Sequence, residues 1–199
     1  MSVKITLQDA YKTSTDDQDK IMSPEETIAT YRDRLQNARL DILDHTERID
    51  NGRLDIPVFF SVCGKDGQAI IGNKKQMGKG ATPAQAEASA IMELAERFSF
   101  FSFCKNPAHF TIDTYANLKQ DALPFEAIAK SVHDTTGDLD AACRVFETIP
   151  MRWTRAWNLT AGREVMVPFD WFYAINEFNG LSAGNCQEEA LSQGICEIV

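Results

Sequence analysis

A glycine-rich loop that leads into a long uninterrupted helix occupies residues 78–97. The two glycines of the loop permit a backbone that other residues would strain. Thr82 and Pro83 then supply an N-cap and the residue favoured at the first helical position. Residues 84–97 contain no glycine or proline and many residues of high helix propensity. The sequence therefore predicts a loop–helix unit here.

Two carboxylates leave the same face of this predicted helix, because Glu93 and Glu96 lie three positions apart. Their neighbours are mostly apolar, which indicates a helix largely enclosed by other structure. Enclosed carboxylates are costly unless protons, cations or metal ions compensate their charge. Taken alone, the helix is equally compatible with a solvated face that includes Glu87 and Arg97.

The segment 182–197 repeats this pattern of loop glycine, alanine and glutamate. The repeat favours a site in which bound cations or metal ions compensate the carboxylates. Gly184 is followed six positions later by Ala190 and seven positions after that by Glu197, the same offsets as in the first loop–helix unit. Two such units could face each other across one site, where carboxylate oxygens suit Mg²⁺, a hard cation that bridges carboxylates to phosphates. The candidate metal ligands are Glu93, Glu96, Glu189 and Glu197.

With both units the chain resembles the YcaO domain family. One block is the Gly-Lys-Gly loop leading to residues 89–97, and another is 179–185 leading to the glutamates of the second unit. Residues 23–27 are similar to the N-terminal signature of the family, and 56–58 before a predicted strand fit its next block. The resemblance covers nearly the whole chain. It implies an ATP-dependent enzyme that activates a peptide-bond oxygen and forms azolines, thioamides or amidines.

The resemblance also implies which residues contact the nucleotide. Lys20 and Thr27 would do so as the basic residue and the threonine of the N-terminal signature. Composition alone makes both of them surface residues, and the acidic run just before Lys20 departs from the family. Ser89, Asn185 and Gln193 occupy positions that would hydrogen-bond the nucleotide. The implied cofactors are ATP and Mg²⁺.

Two further cationic residues belong to the first unit. Lys79 lies between the loop glycines and either meets a phosphate or faces solvent, since the spacing is not that of a Walker A loop. Arg97, with the metal, would neutralise charge on the transferring phosphoryl group. In the implied reaction a nucleophile adds to a backbone carbonyl, and the resulting oxyanion attacks the γ-phosphate. The sequence leaves open whether the nucleophile is a substrate side chain or external sulfide.

The implied partners are a peptide or protein substrate and a sulfur-supply or methylthiotransferase protein, and we also expect a homodimer. Two other functions remain open. One is a catalytically silent module that binds a peptide or partner protein, which the retained carboxylates argue against. The other is an amide ligase or similar phosphoryl-transfer enzyme, which would form an acyl phosphate.

Composition narrows the functional classes. A formal net charge of −9 argues against nucleic acid as the main partner, because phosphate binding needs clustered Lys and Arg. No stretch approaches the roughly 20 apolar residues of a membrane span, and no apolar signal region opens the chain, so we expect a cytoplasmic protein without membrane contact. Five scattered cysteines without a Cys-x-x-Cys pair indicate reduced thiols rather than zinc or disulfides.

The predicted fold class is α+β, with antiparallel hairpins packed against helices and the two loop–helix units forming a nucleotide cleft. We expect a loosely ordered segment over 1–22 and one YcaO-like domain over 23–199. The remaining predicted elements are a helix over 24–40, a strand over 57–63 with a turn at 64–67 and a partner strand at 68–71, an aromatic extension of the first unit's helix over 98–103, an insertion of unknown role over 104–150, a short helix over 125–132, and a hairpin over 153–168.

The second unit ends at Val199, before the positions at which the first unit has Glu96 and Arg97. We therefore expect a fragment of a longer protein whose C-terminal half is absent, with an exposed apolar surface, weak or no binding of Mg-ATP and no turnover of its own. We also expect ATP binding to require Mg²⁺. Glu93→Gln should abolish it without lowering the stability of the unliganded chain.

Overall fold

The computed structural model describes residues 4–12, 20–72, 75–133, 135 and 137–199. The acidic run at 16–19 that departs from the family lies outside these residues. The strands are β1 (Leu43–Arg48), β2 (Val58–Cys63), β3 (Lys75–Lys79), β4 (Thr111–Asp113), β5 (Met151–Asn158) and β6 (Arg163–Pro168). The α-helices are α1 (Pro24–Ala38), α2 (Lys65–Ile71), α3 (Pro83–Lys105), α4 (Tyr115–Leu118), α5 (Phe125–Ala129), α6 (Leu139–Phe146), α7 (Phe169–Asn176) and α8 (Gln187–Ile198), with a 3₁₀ turn at Pro107–His109.

Residue contacts divide the chain into two compact bodies. The pocket body comprises Leu7–Lys105 and Gly180–Val199, and the intervening body comprises Met1–Thr6 and Asn106–Asn179. In each body a three-stranded antiparallel sheet packs with helices, which confirms the predicted α+β class. No helix among the described residues has the length and apolar character that crossing a membrane would require. The predicted domain boundary at residue 23 stays a prediction.

The sheet of the pocket body has the order β1-β2-β3, and α3 packs directly on it. A side chain on Gly78 of β3 would collide with the backbone of Ala86 and Ala90, so only glycine allows this close approach. Ser61 of β2, fully buried, donates from its hydroxyl to the Ala90 carbonyl at 2.7 Å. Leu94 of α3 belongs to the buried cluster beneath the sheet. That cluster therefore holds the helix on which Glu93 and Glu96 lie.

One predicted hairpin is wrong. The expected turn at 64–67 and partner strand at 68–71 form helix α2, and the strand that pairs with β2 is β3. The helix begins here because Asp41 accepts hydrogen bonds at its first turn: the Lys65 amide donates to the carboxylate at 3.0 Å and the Asp66 amide to the carbonyl at 2.8 Å. The apolar run at 69–71 is too short to show whether its period is that of a helix or a strand. The hydrogen bonds to Asp41, more than 20 residues earlier, favour the helix.

Helix α1 confirms its predicted start. Ser23 is the N-cap, its hydroxyl accepts from the Glu26 amide at 3.2 Å, and the Glu26 carboxylate accepts from the Ser23 amide at 2.9 Å. This is a complete capping box, with proline at the first helical position. Thr27, one turn into the helix, is buried and donates from its hydroxyl to the Ser23 carbonyl at 2.9 Å.

The intervening body has the sheet order β4-β5-β6, and its central hairpin pairs Trp153 with Pro168 through to Asn158 with Arg163. This confirms the predicted hairpin. Trp153 is fully buried, and its indole donates to the Asp113 carbonyl at 3.0 Å. Residues 106–179, which separate the two parts of the pocket body along the sequence, thus have a core of their own.

Candidate functional site

The two loop–helix units have the same local architecture. The second lies 104 positions after the first, as Gly184 and Gly80 show. A side chain on Gly80 would place its Cβ 2.7 Å from the Ala86 amide nitrogen, and one on Gly184 would lie 2.5 Å from that of Ala190. The shared offset therefore has a physical cause, because at both places the loop turns back onto the first helical turn and leaves no room for Cβ.

The helix caps repeat as well. In the first unit the Thr82 hydroxyl accepts from the Gln85 amide at 3.2 Å, and in the second the Cys186 thiol sulfur accepts from the Glu189 amide at 3.4 Å. The side chains at the third position reach back in both units. Gln85 accepts from the Ala81 amide at 2.9 Å, and Glu189 accepts from the amide of Asn185 at 3.0 Å, 104 positions on. The two units of the internal repeat therefore share the same pattern of capping hydrogen bonds.

Both units border one cavity of about 410 Å³ in the pocket body. All four candidate metal ligands line it, and so do six of the seven candidate nucleotide-binding residues. These lining residues are Glu93, Glu96, Glu189 and Glu197, together with Lys20, Thr27, Lys79, Ser89, Asn185 and Gln193. The structure brings together side chains from the N-terminal segment, the first unit and the second unit.

Arg97 is the candidate that does not line the cavity. Its guanidinium contacts two of the cavity's carboxylates, with Nη2 2.8 Å from Glu93 Oε1 and Nη1 3.7 Å from Glu96 Oε1. The arginine is 21% exposed, so its pairing with Glu93 is protected from much of the solvent. Removing the Glu93 charge would weaken a half-buried ion pair, which is destabilising. The structure therefore favours Glu96, rather than Glu93, as the carboxylate whose neutralisation raises the stability of the unliganded chain.

Glu96 is the most perturbed carboxyl of the site. Burial raises its pKa, the negative charges of Glu93 and Glu197 raise it further, and Arg97 lowers it, with the result that the pKa rises to about 7. The side chain is 10% exposed. Such a carboxyl is costly to ionise alone, and a bound cation would remove that cost.

The donor set fits Mg²⁺ in its chemistry. Carboxylate, amide and hydroxyl oxygens are the ligands that this hard cation takes, and it is usually held by one or two carboxylates together with substrate phosphates. Among the residues that the structure describes, no group of three or more acidic, histidine or cysteine side chains is gathered as a ready metal site. Any Mg²⁺ at this cavity would therefore need oxygen ligands beyond these side chains, and nucleotide phosphates provide them.

Gln85 also lines the cavity, although it is not among the site residues predicted from the sequence. The repeat could have identified it, because Gln85 occupies the position of Glu189 in the first unit. The aromatic run after residue 97 has two roles. Phe98 and Phe101 pack against the buried cluster under the sheet, whereas Phe100 and Phe103 line a second groove that shares several residues with the cavity.

Comparison with known proteins agrees with this geometry. The family model described as YcaO cyclodehydratase, ATP- and Mg²⁺-binding, matches residues 77–199. The chain belongs to the YcaO family. An uncharacterised protein of Methanothermobacter thermautotrophicus is 30% identical over 190 residues, which are 88% of this chain and 44% of that protein. The predicted cofactors, ATP and Mg²⁺, are those in the family's description.

Two solved structures share the fold. YcaO from Methanopyrus kandleri bound with AMPPCP and Mg²⁺ has a TM-score of 0.61 and 24% identity over 90% of this chain and 43% of its own. A heterocyclase in complex with substrate and cofactor has a TM-score of 0.66 and 19% identity over 96% of this chain and 29% of its own. The chain thus spans less than half the length of these relatives.

Proposed function

We propose that the cavity of the pocket body binds ATP with Mg²⁺ and that the protein uses it to activate a peptide backbone amide, by cyclodehydration to an azoline or by thioamidation. The convergence of both loop–helix units on one cavity is the observation that supports this most. Membership of the YcaO family is consistent with it. Reaction type, peptide substrate, sulfur-supply or methylthiotransferase partner and dimeric state remain proposals for the whole protein.

The side chains divide into two roles in this proposal. Glu93, Glu96, Glu189 and Glu197 would hold Mg²⁺, which when bound supplies positive charge to neutralise phosphate oxygens. The other lining residues would bind the nucleotide directly. Lys20 and Lys79 offer ammonium groups to phosphate oxygens, and Ser89, Asn185 and Gln193 offer hydrogen bonds.

The charge of the cavity makes the metal necessary for nucleotide binding. Four glutamates and two lysines line it, so a triphosphate without a cation would meet net negative charge. Burial raises the pKa of Glu96 most, and the negative charges of Glu93 and Glu197 raise it further, so the carboxylates also repel one another. Mg²⁺ would relieve both repulsions at once, between the glutamates and between protein and phosphate.

Isothermal titration calorimetry of ATP with and without Mg²⁺ tests the proposal. We expect weak binding with Mg²⁺, binding at least tenfold weaker still when EDTA replaces it, and loss of binding in Glu197→Gln. Glu197 is exposed, so this change should leave the fold intact. Glu47→Gln, on the exposed strand β1, is the matched control and should bind as the unchanged chain does.

Equal ATP affinity with and without Mg²⁺ would contradict the metal assignment. Peptide binding that needs no nucleotide would instead indicate a silent binding module. Detection of an acyl phosphate would indicate an amide ligase. Phosphate release with a peptide substrate, accompanied by loss of water or gain of sulfur in the peptide mass, would support amide activation.

A further inference from the structure

The N-terminal segment is fastened to the first turn of α8 by two neighbouring carboxylates. The Gln8 amide donates to Glu188 Oε1 at 2.7 Å, and the Ile21 amide donates to Glu189 Oε2 at 3.1 Å. We call residues 7–12 and 20–22 the strap, since they contain neither helix nor strand and all belong to the pocket body. Hydrogen bonds to the helix thus place a segment that has no regular structure of its own.

The strap matters because Lys20 precedes the fastened Ile21. Lys20 is half-buried and lines the cavity, as does Met22 on the other side of the fastened residue. A lysine on an unattached chain would lose side-chain and backbone entropy whenever it met a ligand. Because the hydrogen bond from Ile21 to Glu189 already restricts the backbone next to Lys20, less backbone entropy is lost when a ligand binds.

Glu189 makes this bond in addition to a cap. Its Oε1 accepts from the Asn185 amide at 3.0 Å and from the Asn185 side-chain nitrogen at 3.2 Å, while Oε2 accepts from Ile21. Gln85, in the equivalent position of the first unit, accepts through its one oxygen from the loop amides of Ala81 and Thr82. A glutamine side chain has only one acceptor oxygen. A carboxylate has two, so Glu189 can accept from Asn185 and from Ile21 at the same time.

We propose that Glu188 and Glu189 are positioning residues that hold the strap against α8 and thereby place Lys20 at the cavity. This assigns Glu189 a role in the unliganded chain beyond that of a candidate metal ligand. It also assigns a role to Glu188, which does not line the cavity. The benefit for ligand binding rests on the proposed function, whereas the fastening itself does not.

Amide hydrogen exchange followed by nuclear magnetic resonance in the nucleotide-free, metal-free 199-residue chain tests the fastening. In Glu189→Gln the oxygen can keep the Asn185 cap, but the amide nitrogen then faces the Ile21 N–H as a second donor. The Ile21 amide should exchange about 10- to 100-fold faster, the factor expected for losing a hydrogen bond to a charged group. The amides of Ser61 and Leu94 in the core should not change.

The hydrogen bond from Gln8 to Glu188 allows a test with one disruptive and one conservative substitution. Glu188→Ala removes the acceptor and should accelerate exchange at Gln8, whereas Glu188→Gln keeps Oε1 and should restore slow exchange. A purely destabilising substitution would instead accelerate core amides as well. Unchanged exchange at Ile21 in Glu189→Gln and at Gln8 in Glu188→Ala, or equal acceleration of strap and core amides, would overturn the proposal.

Acetylation of Lys20, measured by mass spectrometry with and without Mg-ATP, tests whether the strap affects ligand binding. Mg-ATP should protect Lys20 in the unchanged chain, and Glu188→Ala should reduce that protection several-fold. If Mg-ATP protects Lys20 equally in Glu188→Ala, the placement role is overturned. If Mg-ATP protects Lys20 in neither chain while the exchange results hold, the proposed ATP function fails and the fastening of the strap stands.

Discussion

Replacing Glu96 by glutamine should stabilise the unliganded chain, and only above mildly acidic pH. The pKa of Glu96 rises from 4.5 to about 7 through burial first and through the charges of Glu93 and Glu197 second. The native state therefore holds this proton more tightly than the unfolded state does. Stability that is fully present below pH 4.5 is lost as the pH rises through about 7.

The magnitude follows from that difference. Raising a pKa from 4.5 to about 7 corresponds to about 3 kcal/mol of lost stability above pH 7. Because water still reaches part of the cavity, we reduce this to about 1.5–2 kcal/mol. Glutamine resembles the protonated carboxyl and avoids the loss, so the melting temperature at pH 8 should rise by roughly 3–8 °C.

Thermal unfolding by circular dichroism at pH 4 and pH 8, without nucleotide or metal, checks this prediction. Glu96→Gln and the unchanged chain should melt together at pH 4 and separate at pH 8. Glu25→Gln, on the exposed side of α1, is the control and should shift the midpoint little at either pH. Lower stability of Glu96→Gln at pH 8, or an equal difference at both pH values, would refute the argument.

Three further predictions concern the framework of the two bodies, and thermal unfolding measures all of them. Gly184→Ala should cost several kcal/mol because its Cβ would lie 2.5 Å from the Ala190 amide nitrogen, whereas Gly162→Ala has open space and should cost only about 1 kcal/mol for its positive φ. Ser61→Ala should cost about 1–3 kcal/mol by leaving the buried carbonyl of Ala90 without that donor. Burial raises the pKa of Asp170, but hydrogen bonds from Arg152 outweigh it and lower the pKa. Asp170→Asn should therefore destabilise at pH 7, and this difference should shrink as the pH falls below 3.8.

The sequence determined those features whose causes are local or repeated. Ser23 and Glu26 form a capping box, with Pro24 at the first helical position, so the sequence alone predicts the start of α1. The sequence also reveals the common offsets of the two loop–helix units, because their cause is local. A loop that folds back on its own helix needs glycine at a fixed distance from the first turn, as at Gly80 and Gly184. The candidate glutamates follow from that repeat and from the resemblance to YcaO proteins.

Only the tertiary structure decided features that depend on partners far along the chain. Residues 65–71 form a helix whose first turn is held by hydrogen bonds to Asp41, and no property of that short segment reveals this. Arg97 pairs with Glu93 and does not line the cavity, while burial and the charges of Glu93 and Glu197 raise the pKa of Glu96. Spacing places all three on one helix, but burial and neighbouring charges set their electrostatics, and these arise only when distant segments pack together.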